Sequence, residues 1–393
     1  IPSHPKIEAS LVELFRRTGE RRYLRLAESF LNERGNADAH GRKPLGVHNL
    51  DHCRVRELDT AQGHVICGLF LCEGIFDVGL VTNDAGLVAA VRRFWNDAVT
   101  RKMYVTGAMG RASDERFTEA YALNNRTSIG EGCQSAALVR LSHRLLLLDA
   151  DARYAYVIER VVYNNLATNV SLDGKRFYYV NRVSARPEDA TGRPYVYPLP
   201  ETERERLPRF SLARQPWFKV PCCPPNVAMT IATLGKCVYA RSGDAIYVNL
   251  YIGSRAAIDL DGATVHLTQT TDSPWEGRVR IAVEPGAPRS FSLCLRVPDW
   301  CRGLDSTGGL YRADAPELPD RVTVEVNGLP IAVGRLRKGY LSLKREWRAG
   351  DIVELSLPTP VLRITSDPRV AANAGRVALQ RGPIVYCVEG VDH

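Results

Sequence analysis

Long apolar runs are missing from this chain of 393 residues. None approaches the ~18 residues of a bilayer-crossing helix, which excludes such a span within it. Collagen-like, mucin-like and polar low-complexity tracts are missing too. There is no basic stripe with interleaved aromatics, although 52 basic residues outnumber 44 acidic ones and leave a net charge of +8. The densest basic region, Arg182 to Arg214, also carries Glu188, Asp189, Glu201, Glu203 and Glu205, and reads as a solvated, charge-mixed loop. The arginine excess is ascribed to codon usage, so neither nucleic acid nor a membrane is an expected partner. Ten cysteines are too few for a disulfide scaffold, and their spacing shows no framework. Cys67, Cys72, Cys237, Cys294 and Cys387 sit in apolar contexts as small hydrophobes, which fits a reducing, cytoplasmic compartment. The chain begins Ile-Pro with neither initiator Met nor signal sequence, so its true N-terminus is expected upstream.

What remains is an ordinary globular composition, 45% hydrophobic and 24% charged, long enough for two or three domains. Residues 1–242 read as helical. Three amphipathic hairpins follow one another: Leu11 to Leu31 turning at Thr18-Gly19-Glu20, Cys67 to Val99 turning at Thr82-Asn83-Asp84, and Ala137 to Asn164 turning at Asp149-Ala150-Asp151. Such hairpins bury their faces only against neighbours, which implies a helical toroid or solenoid. Three would make half of a closed six-hairpin barrel. From about Gly243 to the end the period becomes two, in short runs such as IYVNLYI, RVRIAVE and SFSLCLRVP. Seven or so such strands imply a β-sandwich over 243–393. Between the halves, Gly174 to Asn181 reads as a strand or hairpin.

The most unusual local sequence is Cys222-Cys223-Pro224-Pro225-Asn226. Where a loop meets a helix starting near Pro225, the positive helix end favours thiolate over thiol. A thiolate is both nucleophile and soft metal ligand; two buried thiols are the plainer alternative. Glu131-Gly132-Cys133, at the start of an apolar helix, adds a carboxylate and a third thiol. With Cys222 and Cys223 these make three sulfurs and one oxygen, a tetrahedral zinc set. Glu115 lies in a polar stretch after the turn-rich segment Tyr104 to Gly110, and as a general acid it would protonate a leaving oxygen. A solvent-facing side chain beside Arg116 is the competing reading, and Glu119, one helical turn later, serves equally well on local grounds. His64 precedes an apolar helix, where a histidine is more often a cap or core residue than a ligand.

The strings YVTGAMG, ERFTEAYALNN, GEGC, SLDGKRFYYVN, WFKVPCCPPN and IYVNLYIGS together resemble glycoside hydrolase family 127, which contains the β-L-arabinofuranosidases. The resemblance runs from about His4 to Glu389. It implies an α + β multidomain fold: an (α/α)6 barrel, present here as its C-terminal portion, followed by β-sandwich, with further chain upstream and beyond the C-terminus. It implies a retaining exo-glycosidase that releases L-arabinofuranose, or a related pentose or deoxysugar, from a carbohydrate substrate. Carried over by position, Cys222 matches the nucleophile and a zinc ligand, and Glu131, Cys133 and Cys223 match the remaining ligands. Glu115 matches the acid/base, which decides against Glu119, while His64 and Tyr179 match sugar-contacting positions. No oligomeric state follows.

Departures from the family pattern bear on substrate identity. Asp114 stands where a glycine is common and would raise the pKa of Glu115. Gly132 stands where relatives often have Thr, and Lys219-Val220-Pro221 replaces the usual Gly-Cys-Ala before the cysteine pair. A non-catalytic glycan-binding scaffold with a structural zinc is the alternative from another class, since four protein ligands also describe a closed site. Polysaccharide lyase or sugar epimerase chemistry on a similar toroid is a third, and neither needs the cysteines.

Overall fold

The computed structural model describes residues 1–185, 213–303, 307–314 and 322–388; most of the basic stretch from Arg182 to Arg214 lies outside the described residues. Two compact units emerge. The first comprises 1–145, 161–229 and 368–374, and the second 146–160, 230–367 and 375–393.

In the first unit, α1 (Ile7–Thr18) and α2 (Arg21–Glu33) form a hairpin at the turn read from the sequence. Gly19 ends α1 in the left-handed region at φ 73°, its N–H bonded to the Phe15 carbonyl. Next, α3 (Val65–Val81) and α4 (Ala85–Arg101) turn through Asn83, also left-handed at φ 56°. The Asp84 carboxylate caps α4 by accepting from the Leu87 N–H at 3.1 Å. Helix α3 is buried on every side from Val65 to Gly79, so it is the centre of the unit rather than an amphipathic surface helix. Two carboxylates lie within that buried stretch and need partners. Arg140 and Arg144 of α5 (Gly132–Asp149) supply them, Arg140 bonding Glu73 at 2.6 Å and Arg144 bonding Asp77 at 2.9 Å.

Helix α6 (Ala152–Val161) follows α5 after the turn at Ala150 and Asp151. The predicted helix to Asn164 ends early, because Val162–Leu166 is a π-turn. Of the strand or hairpin read over Gly174 to Asn181, no regular strand forms; Phe177 makes isolated antiparallel bridges to Val170, across a turn, and to Gln215. The remaining α-helices among the described residues are α7 (Cys223–Thr233) and α8 (Gly235–Val238).

All strands among the described residues belong to the second unit. They begin at β1 (Tyr239–Ser242), earlier than the change of period, and Gly243-Asp244 is the turn into β2 (Ala245–Val248). There follow β3 (Ser254–Leu260), β4 (Ala263–Thr271), β5 (Arg278–Pro285), β6 (Arg289–Arg296), β7 (Tyr311–Asp314), β8 (Thr323–Val326) and β9 (Leu329–Ile331). The last are β10 (Tyr340–Trp347), β11 (Asp351–Ser356), β12 (Val361–Ser366), β13 (Ala378–Arg381) and β14 (Ile384–Tyr386). They form three sheets, ordered β1-β2-β6-β10, β3-β4-β5-β11-β8-β9 and β14-β13-β12-β7. The sequence reading of about seven strands is an undercount: β1, β7, β9, β13 and β14 are too short to show alternation, and β3 and β12 were missed as well. Strand β6 is buried on both faces from Phe291 to Arg296, where the Arg296 guanidinium pairs with Glu159 and Trp300 Nε1 donates to the same carboxylate at 2.9 Å. Among the described residues, no helix is long and apolar enough to cross a membrane.

Candidate metal centre and active site

Two helix starts bring four ligand-type side chains together in the first unit. Glu131 and Cys133 flank the opening residue of α5, while Cys222 precedes α7 and Cys223 opens it. Helix α7 therefore begins before Pro225, and both prolines occupy its first turn, where a missing N–H costs nothing. One atom from each of Glu131, Cys133, Cys222 and Cys223 lies within 4.8 Å of every other. Cys222 Sγ is 3.1 Å from Glu131 Oε1, and Cys223 Sγ is 3.7 Å from the same oxygen. Gly132 permits this approach: a Cβ there would stand 2.8 Å from Val227 Cγ2 of α7 and 2.8 Å from Asn169 Oδ1.

Four acidic groups at this spacing cannot all ionise unaided. One takes the charge. Hydrogen bonds from the Cys133 and Cys223 thiols pull Cys222 far below the ordinary thiol range. Its bonds to Cys222 and Cys223 push Cys133 up, and burial followed by the Cys222 charge pushes Glu131 up. At Cys223 the Cys133 bond lowers the thiol, but the Cys222 bond and burial outweigh it and the net direction is up. A dication reverses that pattern, since a coordinating thiol is deprotonated outright. The donor set suits one: sulfur separations of 3.9 and 4.0 Å approach the ~3.8 Å edge of a tetrahedron with ~2.3 Å metal–sulfur bonds. These four residues can hold a metal ion. Of the three sulfurs, only Cys222 is less than fully buried.

Glu115 lies beside this cluster and is itself buried. The segment around it pairs with the start of α3: Val65 N–H donates to the Glu115 carbonyl and Phe117 N–H to the Gly63 carbonyl, both at 2.9 Å. That pairing sets His64 against Glu115, with His64 Nε2 3.2 Å from Glu115 Oε2. His64 is also the N-cap of α3, its Nδ1 accepting from the Cys67 N–H. An accepting Nδ1 places the ring proton on Nε2, which therefore donates to Glu115. The Tyr179 hydroxyl donates to Glu115 Oε1 at 3.0 Å and also reaches the Cys222 sulfur. Burial, then the charges of Glu131 and Cys222, push this phenol up and keep it a donor.

Asp114, the carboxylate next to Glu115 in the chain, is held by arginines. Arg111 grips it at 2.7 and 2.9 Å and Arg116 stands 3.7 Å away, which holds its carboxyl below the usual range. Glu119 is exposed on a segment of turns without helix, so it does not lie one helical turn from Glu115.

Sequence reasoning missed several residues at this site. His48 and His4 pack their rings 5.2 and 5.9 Å from that of His64, and burial followed by the His64 charge lowers both. Asn165, presented by the π-turn, donates to the Gly130 carbonyl at 2.9 Å and to Ser135 Oγ at 2.7 Å, which fixes the chain entering Glu131. Asn226 Nδ2 donates to Cys133 Sγ at 3.3 Å. Only Asn226 sat in a stretch the sequence marked as unusual.

Comparison with known proteins points one way. A family model described as the β-L-arabinofuranosidase GH127 catalytic domain matches residues 1–236, the GH127 middle domain matches 245–359, and the glycoside hydrolase family 127 C-terminal domain matches 361–393. A non-reducing end β-L-arabinofuranosidase of Bifidobacterium longum is 34% identical over 99% of this chain and 58% of its own length. The solved structure of a GH127 β-arabinofuranosidase aligns with TM-score 0.88 and 34% identity over 100% of this chain and 57% of that one. A GH127 β-L-arabinofuranosidase from Geobacillus stearothermophilus aligns with TM-score 0.84 and 36% identity, covering 99% of this chain and 59% of that one. This chain thus spans less than two thirds of the length of each of these relatives.

Proposed function

Because this chain belongs to glycoside hydrolase family 127, we propose that it carries the catalytic machinery of a retaining exo-glycosidase acting on β-L-arabinofuranosides. Its helical hairpins are read as part of an (α/α)6 barrel over 1–242, and its strands as β-sandwich over 243–393. The absence of disulfides among its cysteines fits a reducing, cytoplasmic setting.

Glu131, Cys133, Cys222 and Cys223 would hold zinc, the dication that three thiolates and one carboxylate favour. Zinc supplies, when bound, the positive charge that keeps all three sulfurs ionised at neutral pH. The chain's own groups then perform the displacement. Cys222 Sγ attacks the anomeric carbon, a carbon–sulfur bond forms, and the glycosidic carbon–oxygen bond breaks. Glu115 gives its proton to the departing oxygen. In the second step the Glu115 carboxylate takes a proton from water, whose oxygen displaces the sulfur and restores Cys222 as thiolate. Two inversions retain the configuration. The His64 Nε2–H and the Tyr179 hydroxyl donate to Glu115 and orient it, the Tyr179 oxygen can still accept from a sugar hydroxyl, and His4 and His48 stand alongside.

The observation that carries this reading is the clustering of Cys222 with Glu131, Cys133 and Cys223, Cys222 being the least buried of the three cysteines, together with a buried Glu115 held by His64 and Tyr179. Turnover of an aryl β-L-arabinofuranoside tests it. Glu115→Gln should lose roughly 10²- to 10⁴-fold in kcat while keeping its metal, and Cys222→Ser should be inactive. Substantial turnover by Cys222→Ser would show the nucleophile to be another group.

A further inference from the structure

Asn226 stands in the first turn of α7, and its amide nitrogen donates twice, to Cys133 Sγ at 3.3 Å and to the Cys222 carbonyl at 2.9 Å. A carbonyl oxygen only accepts, so the nitrogen of the amide, not its oxygen, must face this side. One side chain thereby ties the sulfur supplied by α5 to the backbone of the residue preceding α7. The two cysteines are held differently: Cys133 through its sulfur, Cys222 through its main chain.

We propose that Asn226 is a positioning residue of the metal centre, which orients the Cys133 sulfur through a hydrogen bond that it does not give to the Cys222 sulfur. The inference rests on the metal-centre reading above. An N–H donor draws charge from the thiolate it faces, lowering both its nucleophilicity and the energy of its lone pairs. The same amide fixes the Cys222 backbone without touching its sulfur, so it adds no donor to those that sulfur already has. Cys133, buried beneath, gains orientation and loses reactivity. Outer-shell partners of this kind hold a metal's ligands in place as well as tuning them.

Chelator competition for zinc on the wild type, Asn226→Ala and Asn226→Asp, with absorption spectra of the cobalt-substituted proteins, tests the assignment. Asn226→Ala should bind zinc roughly 10- to 100-fold more weakly. Asn226→Asp has the shape of the native residue but turns an anion toward a thiolate, so it should bind more weakly still. The thiolate-to-cobalt charge-transfer band should move to lower energy in Asn226→Ala, as the sulfur lone pairs rise without their donor. A role in packing alone reverses the ranking, with Asp near wild type and Ala worst, and leaves the band in place; that result overturns the proposal, as do equal affinities. Should Asn226→Asp not fold, the band of Asn226→Ala decides, and Asn226→Gln, which keeps a donor, should recover part of the affinity. A wild type that binds no metal overturns the metal-centre reading and this proposal with it, whereas a loaded wild type with indifferent variants overturns the proposal alone.

Discussion

Glu115 sits in the left-handed region at φ 60°, where a non-glycine residue costs about 1–2 kcal/mol. Its neighbours impose that conformation: its N–H bonds the Arg111 carbonyl at 3.0 Å, and its own carbonyl receives the first N–H of α3. Backbone held this way presents the carboxylate to His64 and Tyr179 together. Across the site, Arg116 Nε donates to His48 Nδ1 at 3.2 Å. The chain flanking it is tied down by Asp51, which accepts from the N–H groups of Gly35 at 2.7 Å and Leu45 at 2.8 Å and is gripped by Arg42. Burial raises the Asp51 carboxyl, but the bonds from Arg42, Gly35 and Leu45 outweigh it and hold the group well below the carboxylate range. A depressed folded-state pKa contributes stability that is present above the unfolded value of ~4 and is lost as pH falls through the folded one. Asp51→Asn should therefore melt below the wild type at neutral pH, and the gap should narrow once acidification passes ~4. Melting curves across that range check it; a gap independent of pH would assign the loss to packing instead.

At the scale of elements, helices α4 and α5 are pinned by Trp95, fully buried, whose Nε1 donates to Ser142 Oγ at 2.9 Å. Trp95→Phe removes the donor and leaves a buried hydroxyl wanting a partner, a loss of about 1–3 kcal/mol readable as a lower melting temperature. Double replacement with Ser142→Ala should return part of that loss, since both partners then go; a double variant no better than the single one would place the cost in the lost ring volume. Helices were legible where a residue that starts or stops a helix stands at an end, as with Asp84 before α4 and Gly19 after α1. Even α3, buried all round, was bounded by His64 and Thr82-Asn83-Asp84. The π-turn was not legible, because Val162–Leu166 continues an apolar helical pattern and only its tertiary neighbours widen it. The irregular loop holding Glu115 has no period either, which is why Glu115 and Glu119 could not be told apart locally. His4 and His48 escaped for the same reason: each is an isolated histidine until α3 is placed beside it.

In the whole molecule, the ligands come from two places far apart in sequence, Glu131 and Cys222 being 91 positions distant. No spacing rule reaches across that interval, so the sequence marked two unusual stretches whose meeting only the fold establishes. What brings them together is packing without side-chain volume at Gly132, two prolines in the first turn of α7, and amides from Asn165 and Asn226. The most direct test is elemental analysis of the purified, folded protein beside a Cys133→Ser, Cys223→Ser double variant. The account predicts about one zinc per chain in the wild type and none in the variant. A folded wild type with no metal would contradict it, leaving Cys222 a lone activated thiol and the glycosidase mechanism without its centre.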